Sequence, residues 1–504
     1  MGEYFFHPDK NIVKDIQRIY KQNGGSIGWP KRGQRIFHRF ARKNSQCVVG
    51  VALGDEGKGR IIDNIIEAFL KKRGIHGITV IRFQGGSNSG HTVQIRNTKI
   101  AVHQIPSWII HKSATCIMDR GMTINPVDLT DEIHLIENIT GSVQGRLFLS
   151  QDAVLNTDLD RAEEQLNRIK QGKSTGGTGR GIGPSYAHHY DRLGFHIIDL
   201  IDSQWDKKFS LQFERYTHEF NLYGLKLSDL FVPDFVKTKH TKKECKHPIG
   251  NKNIFLNRLE LARKELLSRR MVINTYPMHA SLYQKTNEAV LFEGAQALGL
   301  HPWLGTIPDI TGSDTSVYGI HTGTAFWKMQ DIQTRIGVFK IPYTSSVGAR
   351  RMPTEAHSAW AERIREAAHE YGTTTGRPRD ILFPDLPMLS YNIRMSGVEI
   401  LVGTHLDISW KDMPIKVCTH YIDAKGDIVL YQPGLPYLAC CIPQYVTLPG
   451  WDGESVRRAK SFRQLPENAK KFLVFLQRRL TTPIVAITTG PSRGNYITIP
   501  PCRT

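Results

Sequence analysis

A chain of 504 residues, 40 % of them apolar, is long enough to bury a large core. No apolar run approaches the roughly 18 residues that a membrane-spanning helix needs. The formal net charge of +19 suits anionic ligands. It does not by itself argue for nucleic acid, because no zinc-finger spacing, aromatic RNA-binding signature or basic helix repeat accompanies it. The seven cysteines (Cys47, Cys116, Cys245, Cys418, Cys440, Cys441 and Cys502) are odd in number and contain no CxxC pair. That pattern fits a reducing compartment and gives no sign of a disulfide framework or a zinc site.

Residues 1–45 hold ten Lys/Arg against three Asp/Glu. They have neither the apolar segment of a secretory signal nor the Ser/Thr that myristoylation prefers. An Arg-rich run at 32–43 is a transit-peptide trait, but the acids and glycines nearby weaken that reading. The stretch is read as a basic N-terminal extension, with a short amphipathic helix over 9–22, on a cytoplasmic protein. Cys47 to Leu53 then reads as a strand, Gly54-Asp55-Glu56-Gly57-Lys58-Gly59-Arg60 as a glycine loop, and Ile61 to Phe69 as a helix. Strand, glycine loop and helix N-terminus together cradle phosphate, since free N–H groups and the helix dipole face the anion. The spacing is not that of a Walker A loop, and the acids Asp55 and Glu56 add a magnesium ligand or a proton acceptor. A plain strand-to-helix turn with two solvated acids would carry the same letters.

Further strand-like runs are Ile78 to Phe83, Ala289 to Phe292, Thr334 to Phe339, Glu399 to Val402 and Ile484 to Ile487. Most precede glycine loops and helical stretches, which predicts an α/β fold: a large, mostly parallel central sheet with helices on both faces. Function is then expected just after the strands or on long loops. The Lys-rich stretch 237–252 reads as a surface loop, and Leu256 to Arg270 as a helix.

Phe83-Gln84-Gly85-Gly86-Ser87-Asn88-Ser89-Gly90-His91-Thr92 follows the second strand, and six further motifs come after it in order. They are Thr178 to Pro184, Phe292 to Gln296, Val347-Gly348-Ala349 with Pro353-Thr354-Glu355, Gly372 to Arg379, His405-Leu406-Asp407, and Thr488-Thr489-Gly490-Pro491. With GDEGKG at 54–59, this series resembles the adenylosuccinate synthetase family over roughly residues 46–500, which makes 46–504 one catalytic domain. The resemblance implies a homodimeric, magnesium-dependent ligase. Such an enzyme joins L-aspartate to inosine 5′-monophosphate with GTP, giving adenylosuccinate, GDP and phosphate through a 6-phosphoryl intermediate.

The family's residues carry over position by position. The resemblance makes Asp55 the base and His91 the acid. It makes Asp55 and the Gly90 carbonyl magnesium contacts. GTP would meet Gly54, Asp55, Glu56, Gly57, Lys58, Gly59, Arg60, Gly90, His91, Thr92, Arg379, His405, Leu406, Asp407, Thr488, Thr489 and Gly490. Inosine monophosphate would meet Asp55, Lys58, Asn88, His91, Thr178, Gln296, Thr311, Arg377 and, across the dimer, Arg192. Thr373, Thr374, Thr375, Gly376, Arg377, Pro378 and Arg379 would form the aspartate loop.

The chain also departs from the family. Ala52-Leu53 stands for Gln-Trp, Ser87 for a histidine, Ser346 to Arg351 for Arg-Val-Gly-Ala-Gly-Pro, and His405 for a lysine. Two enzymatic alternatives therefore stay open: a 2-aminoadenylosuccinate synthetase acting on (deoxy)guanylate, and an ATP-using form. The first replaces the loop aspartate by a small residue, whereas Asp55 is present here. A third alternative is an inactive nucleotide- or RNA-binding scaffold, against which Asp55, Lys58, His91, Gln296 and Arg377 stand together.

Overall fold

The computed structural model describes residues 42–95, 98–171, 177–234, 246–347, 351–372, 378–492 and 494–499, with the side chains of 42 and 91–101 excepted. The helix expected at 9–22, the stretch 235–245, Gly348, Ala349 and Thr373 to Arg377 lie outside the described residues.

Ten strands form one sheet. In chain order they are β1 Arg42–Gly50, β2 Gly77–Arg82, β3 Ala114–Met118, β4 Leu147–Ser150, β5 Val272–Ile273, β6 Glu288–Ala297, β7 Ile332–Lys340, β8 Ile400–Thr404, β9 Ile484–Thr488 and β10 Tyr496–Thr498. Their spatial order is β5-β4-β3-β2-β6-β1-β7-β8-β9-β10. Every neighbouring pair is parallel except β9 with β10. All six sequence-read strands are present. β1 extends back to Arg42, so the last residues of the basic extension belong to the sheet. Asn44 fixes that start, its N–H donating to Gln333 Oε1 at 2.8 Å and its Nδ2 to the Thr286 carbonyl at 3.0 Å.

The sheet is buried on both faces, which explains why its strands read as continuous apolar runs. Side chains alternate across the strand. Val48, Ala289 and Leu291 enter one core, with helices Lys58–Leu70 and Pro126–Thr140, while Cys47, Val49, Val290 and Phe292 enter another with Trp327. A third core joins helices Leu386–Ser396 and Glu467–Arg479 to Leu401 and Ile487. The helix expected over 256–270 runs Lys252–Ser268. Part of the stretch read as a loop is extended instead: Lys246–Pro248 pairs antiparallel with Phe231–Pro233, because backbone pairing outweighs the lysine's poor strand preference. Cys47, Cys116, Cys418, Cys440 and Cys441 are free thiols. Among the described residues no helix is long and apolar enough to cross a membrane.

Topology selects the site. From β1 the chain moves outward on one side through β2, β3, β4 and β5. It then returns to place β6 beside β1 and continues on the other side with β7. The carboxyl ends of β6, β1 and β7 flank this switch in direction, where ligands bind in open parallel sheets.

Candidate active site

The loop after β1 turns sharply, with Gly54, Asp55 and Gly57 at φ 107, 52 and 85. The two glycines accept that backbone freely; Asp55 is a non-glycine residue held in the left-handed region. Gly57 then caps helix Lys58–Leu70 with no side-chain hydrogen bond, so no capping side chain occupies the first N–H groups, as at a phosphate site. Glu56 is turned inward. Its carboxylate accepts from the Gly54 N–H at 2.8 Å and from Lys58 Nζ at 3.0 Å, and its carbonyl accepts from Thr404 Oγ1 at 2.8 Å. Glu56 therefore braces the loop and holds Lys58, and the solvent-facing carboxylate at the loop is that of Asp55.

Asp55 is 43 % exposed and forms an ion pair with Arg379. Arg379 in turn donates to Glu370 Oε2 at 2.9 Å. Buried Glu370 also pairs with Lys340, the last residue of β7, and accepts from Tyr343 Oη at 2.5 Å. Lys340 donates as well to Ser345 Oγ at 2.7 Å. Burial alone would raise the Asp55 carboxyl, but the charges of Arg379, Lys340 and Lys58 outweigh it and hold Asp55 well below the usual carboxylate range. Glu370 is likewise held below its usual range: its burial is overcome by Lys340, with Arg379 adding to the effect. Sequence reading missed Lys340, Tyr343 and Glu370. A lysine closing the apolar second half of a strand, Ile336 to Phe339, was the available signal, since such a charge needs a partner.

The loop after β2 makes the opposite wall. Asn88 Oδ1 accepts from Gln296 Nε2 at 3.0 Å, and Asn88 Nδ2 lies 3.5 Å from Thr311 Oγ1. Three residues far apart in the chain thus meet at one point. Gln296 lies within β6 itself, whereas its motif was expected on a loop after a strand. Among the described residues, buried Gln296 Oε1 and Ser87 Oγ have no hydrogen-bond partner, so this corner has polar capacity to spare for a ligand. A Cβ at Gly85 (φ 82) would meet Ala295 Cβ at 2.5 Å and Gln296 Nε2 at 3.0 Å, so only glycine lets the two loops close.

The Thr178 loop joins the same wall. The Gly179 and Gly181 N–H groups donate to Glu164 at 2.8 and 2.7 Å, which fixes the turn that follows Thr178. Tyr186 Oη donates to the Gly121 carbonyl at 2.7 Å and accepts from the Gly85 N–H at 3.2 Å. Arg192 is exposed at the end of helix Ile182–Asp191, in a left-handed cap at φ 66, beside exposed Tyr190 and Leu193. His91 and Thr92 open a strand whose backbone follows Gly90; their side chains are outside the described set.

Beyond β8, the His405 N–H donates to Thr488 Oγ1 at 3.2 Å, which joins the two loops after β8 and β9. The His405 ring lies edge-on to Tyr343, with centroids 5.8 Å apart. Burial, and then the Lys340 charge, push its pKa down to about 4, so the ring is neutral at physiological pH. Asp407 is buried and accepts from Arg457 Nε at 3.0 Å. Leu406 lies in the core, and only its carbonyl engages a side chain, accepting from Trp451 Nε1 at 2.8 Å. Thr489 and Gly490 follow β9, with the Thr489 N–H donating to the Asn495 carbonyl at 2.9 Å. Arg60 closes this end by donating to the Ser492 and Asn495 carbonyls at 2.8 and 3.1 Å.

Comparison with known proteins identifies the family of the chain. The family model described as adenylosuccinate synthetase matches residues 47–497. The adenylosuccinate synthetase of Acetivibrio thermocellus is 34 % identical over 456 residues, covering 90 % of this chain and 99 % of that protein. That of Marinobacter nauticus is 33 % identical over 460 residues, covering 90 % and 97 %. The structure of fully ligated adenylosuccinate synthetase from Plasmodium falciparum superposes with a TM-score of 0.78 at 28 % identity, covering 91 % of this chain and all of that one. The succinoaminodeoxyadenylate synthetase of cyanophage S-2L, at 15 % identity and a TM-score of 0.53, shares the fold. With nearly its full length matched, the chain belongs to the adenylosuccinate synthetase family.

Proposed function

We propose that this chain joins L-aspartate to inosine 5′-monophosphate at the expense of GTP, yielding adenylosuccinate, GDP and phosphate. One observation carries the residue-level reading. An uncapped helix N-terminus, an ionised Asp55 and the Asn88–Gln296–Thr311 cluster lie on loops and strands around the sheet's switch point.

The 6-oxygen of hypoxanthine is a poor leaving group. Removal of the N1 proton makes that oxygen nucleophilic, and its attack on the γ-phosphorus expels GDP. The aspartate amine then displaces phosphate at C6. Asp55 is the proton acceptor. While paired with Arg379 it is a weak base, and exchanging that partner for the purine N1–H restores its basicity. Asn88, Gln296, Thr178 and Thr311 hold the monophosphate, and Lys58 and the helix N-terminus face the phosphates of GTP. His91 stabilises the transferring phosphoryl group by the family's assignment. Arg379 and Pro378 border the aspartate loop, and Thr373 to Arg377 complete it by the same assignment.

Asp55 as an ionised hard-oxygen donor and the Gly90 carbonyl suit Mg²⁺, which when bound would neutralise charge on the phosphates. Asp407 reads guanine, since one carboxylate accepts from N1–H and the 2-amino group together. We further propose a homodimer in the cytoplasm, in which Arg192 reaches the partner's nucleotide.

The test is direct. Purified protein with inosine monophosphate, GTP, Mg²⁺ and aspartate is followed by adenylosuccinate absorbance, with deoxyguanylate and ATP substituted in turn. Turnover that requires all four components supports the reading. Turnover only with deoxyguanylate, or no turnover in a folded protein that still binds GTP, refutes it.

A further inference from the structure

Asp407 does not stand alone. Its side chain is 6 % exposed, and its carboxylate Oδ2 accepts from Arg457 Nε at 3.0 Å. Arg457 lies in no motif of the nucleotide loops; it closes the short helix Gly453–Arg458, which Asp452 caps by accepting from the Ser455 N–H at 3.0 Å.

That helix is fastened to the Asp407 loop at several points. The Trp451 N–H donates to Ser409 Oγ at 3.1 Å, Trp451 Nε1 to the Leu406 carbonyl at 2.8 Å, and the Gly453 N–H to the Ser409 carbonyl at 3.2 Å. The approach is so close that a Cβ at Gly453 would lie 2.1 Å from the Asp407 carbonyl oxygen. The stem of Arg457 crosses the second nucleotide loop too, since a Cβ at Gly490 would meet its Cγ at 3.5 Å. Arg457 thus pairs with the Asp407 loop and lies beside the Gly490 loop, with its far end paired to Glu454 and 40 % of the side chain facing solvent.

We propose that Arg457 is a positioning residue for the nucleotide base. It fixes the rotamer of Asp407, and through Asp407 it sets the preference for guanine over adenine. The inference rests on Asp407 being the guanine-reading carboxylate. A buried carboxylate without a partner rotates toward solvent, and its two-acceptor edge is then lost to guanine. An exposed ion pair would contribute little. This one has a desolvated carboxylate, so its loss is felt.

The experiment measures KM for GTP, inosine monophosphate and aspartate, and kcat/KM for GTP against ATP, in Arg457→Leu, Arg457→Lys and Asp407→Ala. For Arg457→Leu the KM for GTP should rise about tenfold, as expected for one charge-assisted hydrogen bond. The other two KM values should move far less, and the GTP-over-ATP ratio should fall. Arg457→Lys restores a cation beside Asp407 and should recover part of both effects. An unchanged KM for GTP in Arg457→Leu, with a raised one in Asp407→Ala, overturns the role of Arg457 and leaves the guanine reading intact. An unchanged KM for GTP in Asp407→Ala overturns the guanine reading and this inference with it. All three KM values rising together, with a lowered thermal midpoint, would make Arg457 a structural brace only and overturn the inference. If Arg457→Leu does not fold, Arg457→Gln gives the same readings.

Discussion

Asp55 combines a strained backbone with a perturbed carboxylate. Its φ of 52 costs a non-glycine residue on the order of 1 kcal/mol, and such strain collects at functional sites. Asparagine tolerates this conformation well. Asp55→Asn should therefore stay folded and bind GTP, while turnover falls roughly 10²- to 10⁴-fold, the usual contribution of a placed base. Near-normal turnover in steady-state assays would remove Asp55 from that role. His405 carries a pH signature. The folded ring takes a proton only near pH 4, whereas in the unfolded chain it does so near 6.5. Between those values the unfolded state binds the extra proton, so stability is complete above about 6.5 and declines as pH falls toward 4. His405→Gln abolishes this term. Thermal midpoints compared at pH 7 and pH 5 should drop further for the wild type than for the variant. Parallel drops would mean that the ring is not held neutral.

At the scale of the element, β7 delivers a charge to the centre of the sheet's carboxyl edge. Lys340 meets Glu370 there, with both side chains almost fully buried. Removing one partner from such a pair strands a charge and costs about 3–5 kcal/mol. Lys340→Met should lower stability by less than that, because Arg379 and Tyr343 still hold Glu370, and the double variant Lys340→Met/Glu370→Leu should recover part of it. Urea unfolding of the three proteins checks the order. This network also shows where sequence reading stops. The glycine loops after β1 and β2 were legible because close approach to phosphate and left-handed turns demand glycine at set spacings. Lys340 and Glu370 are 30 positions apart, and Asp407 and Arg457 are 50 apart. No local pattern joins them, and they meet only once parallel strands and crossovers are in place. The strands divide in the same way. Those that end in glycine motifs were read correctly. β3, β4 and β5 lack such an ending, and their pairing with neighbouring strands defines them. The three-stranded antiparallel sheet of Ile415–Ile422, Ile428–Val429 and Ile442–Leu448 also went unread. Its third strand is largely exposed and so lacks an apolar run.

At the scale of the molecule, Asp55, Asn88, Gln296 and Thr311 lie around one cleft of the chain, while Arg192 stands apart on the surface. It sits on the surface at the end of the helix whose Tyr186 touches the β2 loop, and large apolar side chains flank it. An exposed arginine beside exposed Tyr190 and Leu193 has the make-up of an interface centre, where aromatic residues and arginine are enriched. If two copies pair there and each Arg192 serves the other's nucleotide, then Arg192→Leu and Asp55→Asn damage different halves of one composite site. A mixed dimer then contains one site with both defects and one with neither. Equimolar mixtures of the two inactive variants, once subunits have exchanged, should regain about a quarter of wild-type activity: half of the dimers are mixed, and each mixed dimer has one intact site. Size-exclusion chromatography with light scattering establishes the dimer, and exchange is followed with differently tagged copies. Activity that stays at the level of the separate variants, in a mixture shown to have exchanged, would place Arg192 in its own subunit's site or in none.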